Sequence, residues 1–181
     1  MRVLCVVSLM FGLVPAVASA QSRPPSFSIQ GAAGATMVDP GNQVSAAVGF
    51  SPMPRLTLLL DVQRTHIPTR ITRHEHGSSA TRGGTLTAVS GEVRVSLWPP
   101  HRVTPYALAG FGGGRARPNV NETFPSPVTN SAGFIFFGGG VHVPIRERFS
   151  LFGDVRMMGG AEGDDGVLAM IPVRLGMSWR F

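Results

Sequence analysis

Apolar and polar residues alternate along the C-terminal segment of the chain. Every second position from 167 to 181 is apolar, namely Val167, Ala169, Ile171, Val173, Leu175, Met177, Trp179 and Phe181. Arg174, Ser178 and Arg180 occupy positions between them. Because successive side chains of a β-strand point to opposite faces, this pattern predicts a strand with one continuous apolar face.

Seven earlier segments show the same period of two, and none shows the spacing of an amphipathic helix. The predicted strands cover residues 26–37, 43–51, 55–66, 84–98, 102–116, 131–143 and 148–159. The chain also contains 23 glycines and 15 prolines, which disfavour helices and suit strands joined by turns. The sequence therefore predicts an all-β protein of eight strands.

Charged residues within these segments lie on the face opposite the apolar one. They are Asp61, Glu92, Arg94, Asp154, Arg156 and Arg174. A soluble sandwich or lipocalin would turn its apolar face inward, whereas a membrane barrel turns its apolar face toward lipid. Alternation alone does not separate these two possibilities.

The connections between the predicted strands favour the membrane barrel. Short turns at 51–55, 98–102 and 144–148 alternate with longer polar links at 67–83 and 117–130. Short turns at one end and long loops at the other are typical of outer-membrane barrels. We therefore predict an eight-stranded antiparallel up-and-down transmembrane β-barrel.

The N-terminus predicts export. Met1 and Arg2 precede an apolar run from Val3 to Val14, and the small residues Ala18 and Ala20 form a cleavage pattern. A membrane anchor is the alternative, but this run is shorter than the ~20 residues that a spanning helix needs. We expect residues 1–20 to be a cleaved signal peptide and residues 21–181 to form the outer-membrane barrel domain.

The last strand closes on Trp179 and the terminal Phe181, and Pro105-Tyr106 opens a glycine-rich fifth strand. With the signal peptide and eight strands, these features resemble the small OmpA/OmpX-like barrel superfamily of Gram-negative outer membranes. The resemblance implies that Trp179 and Phe181 form a C-terminal assembly signal for the barrel assembly machinery. It implies fold and location but no shared catalytic residues.

The chain has 16 basic and 10 acidic residues, and every basic residue is an arginine. The arginines are scattered and the protein is exported, which argues against nucleic acid as a partner. Outer-membrane lipid and lipopolysaccharide fit the charge better, and Arg64, Arg70, Arg73 and Arg82 in or near the 67–83 loop are the candidate contacts. His66, His74 and His76 could bind zinc, but their spacing is nonspecific and a solvated loop is the simpler interpretation.

The six inward charges predict a salt-bridged core that plugs the lumen, with Asp154 and Arg174 as the favoured pair. We expect a monomer with a structural or surface-interaction role, without catalytic site, metal or cofactor. The alternatives are a narrow pore for small solutes, a lipid-modifying enzyme and a secreted ligand-binding barrel. The enzyme would use His142, which we expect across from Ser150 at the short-turn end, but no acidic third member lies nearby.

Overall fold

The computed structural model describes residues 25–37, 40–68, 70–74, 77–81, 83–99, 102–120, 129–162 and 166–181. Its strands are β1 (Ser26–Thr36), β2 (Gly41–Met53), β3 (Leu56–Ile67), β4 (Arg70–His74), β5 (Gly77–Thr81), β6 (Gly84–Ser96), β7 (Thr104–Pro118), β8 (Asn130–Pro144), β9 (Phe149–Glu162), β10 (Gly166–Met170) and β11 (Pro172–Arg180). Among the described residues, no helix is long and apolar enough to cross a membrane. The predicted signal peptide, with Ala18 and Ala20, lies outside the described residues and stays a prediction.

The strands form a closed antiparallel barrel. Neighbours pair in the order β1, β2, β3, β6, β7, β8, β9 and β11, and β11 pairs with β1 to complete the circle. β10 pairs with β9 in the same register as β11, so β10 and β11 form a single barrel strand. The interruption falls at Ile171, directly before Pro172, whose nitrogen carries no hydrogen for the ladder. The predicted eight-stranded barrel is confirmed.

The structure contains a small hairpin that the sequence pattern does not predict. β4 and β5 lie within the segment predicted as a polar loop, and they pair with each other in a separate two-stranded sheet. Its strand sequences, RITRH and GSSAT, carry no apolar alternation. Because the hairpin stands outside the barrel sheet, it needs no apolar face, and a search for period two cannot detect it.

The outward face of the barrel is apolar over most of the length of each strand. Odd-numbered residues point outward in β1, β6, β7, β8, β9 and β11, and even-numbered residues point outward in β2 and β3. The exposed apolar residues include Leu58, Leu60, Val62, Val89, Phe111, Ile135, Leu151, Val155, Leu175 and Met177. The predicted alternation, with charged residues on the face opposite the apolar one, is therefore confirmed. In the fifth barrel strand, β7, Tyr106 points inward.

The inward-facing side chains form three levels along the barrel axis, from the long loops to the short turns. Toward the long loops, an apolar core contains Leu86, Ala88, Phe134, Phe136, Met158, Leu168 and Met170. Charged side chains occupy the middle level. Toward the short turns, hydroxyl-bearing residues such as Ser28, Ser150 and Ser178 surround an open cavity of about 490 Å³, which we call the vestibule.

Candidate functional site: a buried ion cluster across the lumen

The charged side chains of the middle level come from four barrel strands. Asp61 lies on β3, Glu92 and Arg94 on β6, Asp154 and Arg156 on β9, and Arg174 on β11. All six are buried. The structure thus brings the six predicted interior residues together in the lumen, and we call them the ion cluster.

Arg174 and Asp154 face each other directly on neighbouring strands. Arg174 donates from Nε to Asp154 Oδ1 and from Nη2 to Asp154 Oδ2, both at 2.9 Å. The remaining nitrogen, Nη1, donates to Asp61 Oδ2 at 3.0 Å and to Ser45 at 3.2 Å. A guanidinium in a two-pronged contact with a carboxylate combines charge with fixed geometry, so Arg174 ties β11 to both β9 and β3.

Arg156 lies among all three carboxylates of the ion cluster. Its Nε donates to Asp154 Oδ1 at 3.1 Å, and its Nη1 lies 3.9 Å from Asp61 Oδ2. Its Nη2 lies 2.6 Å from Glu92 Oε2, although the angles there are not those of a hydrogen bond, so charge attraction accounts for this contact. The guanidinium carbon also lies 5.0 Å from the centre of the Phe136 ring, within range of a cation–π contact.

Arg94 completes the ion cluster on the vestibule side. Its Nε donates to Glu92 Oε1 at 2.5 Å, and its Nη1 donates to Gln30 Oε1 at 3.0 Å. The guanidinium carbon lies 4.9 Å from the ring centre of Tyr106 and 4.8 Å from that of Phe152. Two rings therefore flank this charge, which favours a fixed position.

The ion cluster is electrically balanced, with three arginines against three carboxylates. Tyr106 adds a neutral hydrogen bond, since its hydroxyl donates to Asp154 Oδ2 at 3.1 Å. The space left beside Asp61 and Arg174 is about 10 Å³, close to the smallest volume that holds a water molecule. Buried charges with several partners each are compatible with a folded interior, whereas isolated ones are not.

Five further residues belong to this site but were not among the predicted site residues, namely Tyr106, Gln30, Ser45, Phe136 and Phe152. The signal in the sequence that could have identified them is parity, meaning the odd or even position of a residue along its strand, because each of them occupies an inward-facing position. Parity gives the face of a residue but not its height along the barrel axis. Height depends on strand register, which a single sequence does not state.

The remaining predicted site residues lie elsewhere. Trp179 and Phe181 are exposed, on the outward side at the short-turn end. Arg64 is exposed on β3, and Arg70 and Arg73 lie on β4, where the structure describes the backbone only. Arg82 and His76 lie outside the described residues. The lipopolysaccharide contacts of the 67–83 loop therefore stay a prediction, and the zinc site stays untested.

The pair expected for a hydrolase does not form as predicted. Ser150 pairs with Pro144, and His142 pairs with Phe152, so the expected His142–Ser150 pairing is wrong by two positions. The error lies in the turn, where Ile145 and Arg146 both donate backbone bonds to Phe149 and shift the centre of the hairpin. Both side chains line the vestibule.

Closure, the outward apolar face and the buried ion cluster together define a class of protein. The chain has the fold of the small eight-stranded outer-membrane β-barrels. Neither a known protein family nor a curated protein matches the sequence.

Three solved structures illustrate the likeness in fold. Neisserial surface protein A (NspA) is 14% identical with a TM-score of 0.62, covering 87% of this chain and 96% of that one. The N-terminal β-barrel domain of OprF from Pseudomonas aeruginosa is 16% identical with a TM-score of 0.57, covering 86% and 97%. Ail from Yersinia pestis, crystallised with the heparin analogue sucrose octasulfate, is 17% identical with a TM-score of 0.52, covering 87% and 97%.

Proposed function

We propose that this chain is a resident protein of the bacterial outer membrane, with a structural or surface-interaction role and no catalytic activity. Two features support the location. The outward face is apolar over most of the length of each barrel strand, and the structures that this chain resembles are outer-membrane barrels. An apolar outer wall needs lipid around it, since contiguous apolar surface of this extent is not stable in water.

We further propose that the ion cluster closes the lumen to solutes. The observation that carries this proposal is the direct contact of Arg174 with both Asp154 on β9 and Asp61 on β3. These two strands lie on opposite sides of the barrel, so the contact spans the lumen. Interiors of eight-stranded barrels are just wide enough for side chains. A solute or hydrated ion crossing this level must separate buried charges from their partners, which typically costs on the order of 3–5 kcal/mol for each pair broken.

Planar-bilayer recordings test the closure. The unmodified barrel should show no sustained conductance, because the middle level leaves no continuous water path. The double variant Glu92→Ser/Arg156→Ser removes one cation and one anion together, keeps the net charge, and opens space at this level. It should conduct. Heat-dependent gel mobility, which reports the folded barrel, controls for the amount inserted.

Each outcome of these recordings has a meaning. Steady conductance by the unmodified barrel contradicts closure and favours the narrow-pore alternative. Silence of both proteins at equal insertion would assign the barrier to the apolar core around Phe134 and Phe136 rather than to the ion cluster.

Fractionation tests the location separately. Membranes of cells expressing the full chain should yield the protein in the dense outer-membrane fraction of a sucrose gradient. Recovery from the soluble periplasmic fraction would favour a secreted ligand-binding barrel instead.

A further inference from the structure

Strand pairing aligns the outward residues of β3, β6 and β7 into rows around the barrel wall. Three successive rows are apolar or glycine, and the two rows after them toward the long loops are polar. The apolar rows are Leu58–Val93–Ala109, Leu60–Gly91–Phe111 and Val62–Val89–Gly113; the polar rows are Arg64–Thr87–Arg115 and His66–Thr85–Arg117. The wall therefore changes from apolar to cationic within one step of the sheet.

Arg64, Arg115 and Arg117 are exposed and lie on the outward-facing positions of their strands. Arg64 and Arg115 flank Thr87, two strand spacings or about 10 Å apart in backbone position. Arg117 follows Arg115 on the same face, about 7 Å farther along β7. Among the residues whose side chains the structure describes, these two rows contain no carboxylate.

The position of these arginines relative to lipid follows from the apolar rows. Along β6 and the residue that follows it, the outward residues from Leu97 through Val95, Val93 and Gly91 to Val89 span about 27 Å. With the strand tilt of about 40° found in such barrels, this is about 20 Å of membrane thickness, near the height of the usual apolar band. The arginine rows begin at the next step, at the level of lipid headgroups.

We propose that Arg64, Arg115 and Arg117 bind the phosphate groups of a phosphorylated lipid in the outer leaflet, of the lipopolysaccharide type. The proposal rests on the outer-membrane location proposed above. Guanidinium groups match phosphate oxygens in charge and in donor geometry. The Thr87 hydroxyl, between two of the arginines, can donate an additional hydrogen bond to the same phosphate. The site lies on the barrel wall next to the 67–83 loop, and it shares Arg64 with the contacts predicted from the sequence.

Lipid retention measured by native mass spectrometry tests this site. The full chain is refolded into phosphatidylcholine vesicles containing either bis-phosphorylated lipid A or the same lipid after removal of its phosphates. The unmodified barrel should carry the phosphorylated form out of the vesicles in preference to the dephosphorylated one. The variant Arg64→Gln/Arg115→Gln/Arg117→Gln should lose retention roughly tenfold or more, because charge-assisted hydrogen bonds to phosphate are lost.

A matched control removes the same number of arginines from the opposite rim. Arg55, Arg146 and Arg148 lie in the short turns, and their replacement by glutamine changes the net charge equally. This variant should retain phosphorylated lipid A as the unmodified barrel does. An equal loss in both variants would mean that net charge alone attracts the lipid, which overturns the site.

The other outcomes are distinct. Equal retention of both lipids, or retention unchanged by the three wall substitutions, contradicts the proposal. Binding of a soluble heparin fragment through the same arginines, without preference for phosphorylated lipid, would overturn it in favour of a sulfated glycan. Failure of the unmodified chain to insert into any vesicle would instead contradict the outer-membrane location on which the proposal rests.

Discussion

Aromatic rings inside the barrel lie over glycines of the neighbouring strand. Phe134 pairs with Gly112, Phe136 with Gly110, and Phe152 with Gly176. A Cβ added to Gly112 would lie 2.6 Å from the Phe134 ring, and one added to Gly176 would lie 2.4 Å from the Phe152 ring. The absence of side chains on these glycines gives the rings their space, so the glycine-rich sequence of β7 serves lumen packing.

Replacement of Gly112 by alanine should destabilise the barrel by about 1–3 kcal/mol, the usual cost of overpacking a filled interior. The added methyl group would meet both the Phe134 ring and Ser90 Cβ, at 2.6 and 2.7 Å. Gly133→Ala is the control, since it points outward and its Cβ would meet nothing within 4 Å. Urea unfolding from lipid vesicles measures both variants, and equal stability of the two would contradict the packing role of Gly112.

Asp154 and Arg174 should be coupled in their effect on stability. Each single substitution by alanine leaves a buried charge without its closest partner and should lower the free energy of unfolding by about 3–5 kcal/mol. The double substitution should cost less than the sum of the two, because it removes both charges of the two-pronged contact. A reversible urea titration of the four proteins measures this coupling.

Losses that simply add would mean that the Asp154–Arg174 contact does not contribute to stability. A small residual cost in the double variant is expected even if the pair is coupled. Arg174 also binds Asp61, and Asp154 also accepts from Tyr106 and Arg156, so both substitutions leave other partners of the ion cluster unsatisfied.

At the scale of the strand, depth in the membrane decides the cost of an outward charge. Leu60 and Leu97 are equally exposed, at 54% each, but Leu60 lies within the apolar band, one step from its central Leu58–Val93 row, and Leu97 lies at the short-turn edge. Leu60→Arg should cost about 2–4 kcal/mol and Leu97→Arg about 0–1 kcal/mol. Urea unfolding from vesicles compares the two, and an equal cost would contradict the assigned position of the apolar band.

Strand alternation could be predicted from the sequence because a period of two fixes the face of every residue without knowledge of its neighbours. The faces of Asp61, Glu92, Asp154 and Arg174 follow from this period. β4 and β5 could not be predicted in this way, since their sequences carry no apolar alternation.

The contacts within the ion cluster could not be predicted from the pattern of any single strand. The Arg174–Asp154 contact joins adjacent strands and could be proposed from parity and height. The contacts Arg174–Asp61 and Arg94–Gln30 cross the lumen between strands that are not adjacent. Tyr106 contacts Asp154 over Gly140 of the strand between them, β8. Those partners depend on barrel closure and on the stagger of the strands, which no local pattern in the sequence specifies.

In the molecule as a whole, packing differs between the two ends of the lumen. The loop-side level is filled by aromatic and aliphatic side chains together with buried polar ones such as Gln43, Gln63 and Thr65, and the ion cluster lies beneath it. The vestibule on the short-turn side is open and carries serines and threonines on its wall. The side chains that hold the strands together across the interior are therefore concentrated in the middle and loop-side levels.

The vestibule also gives this barrel room that a fully packed one lacks. Ser150 and Ser178 are small, and they border a cavity of about 490 Å³ that opens at the short-turn end. Cys5, the single cysteine of the chain, precedes the barrel strands, so a cysteine introduced at position 178 becomes the only thiol within the barrel. The turn-side lumen is thus a compartment in which a dye or another reporter group can be attached, with the wall between it and lipid and the ion cluster between it and the loop-side level.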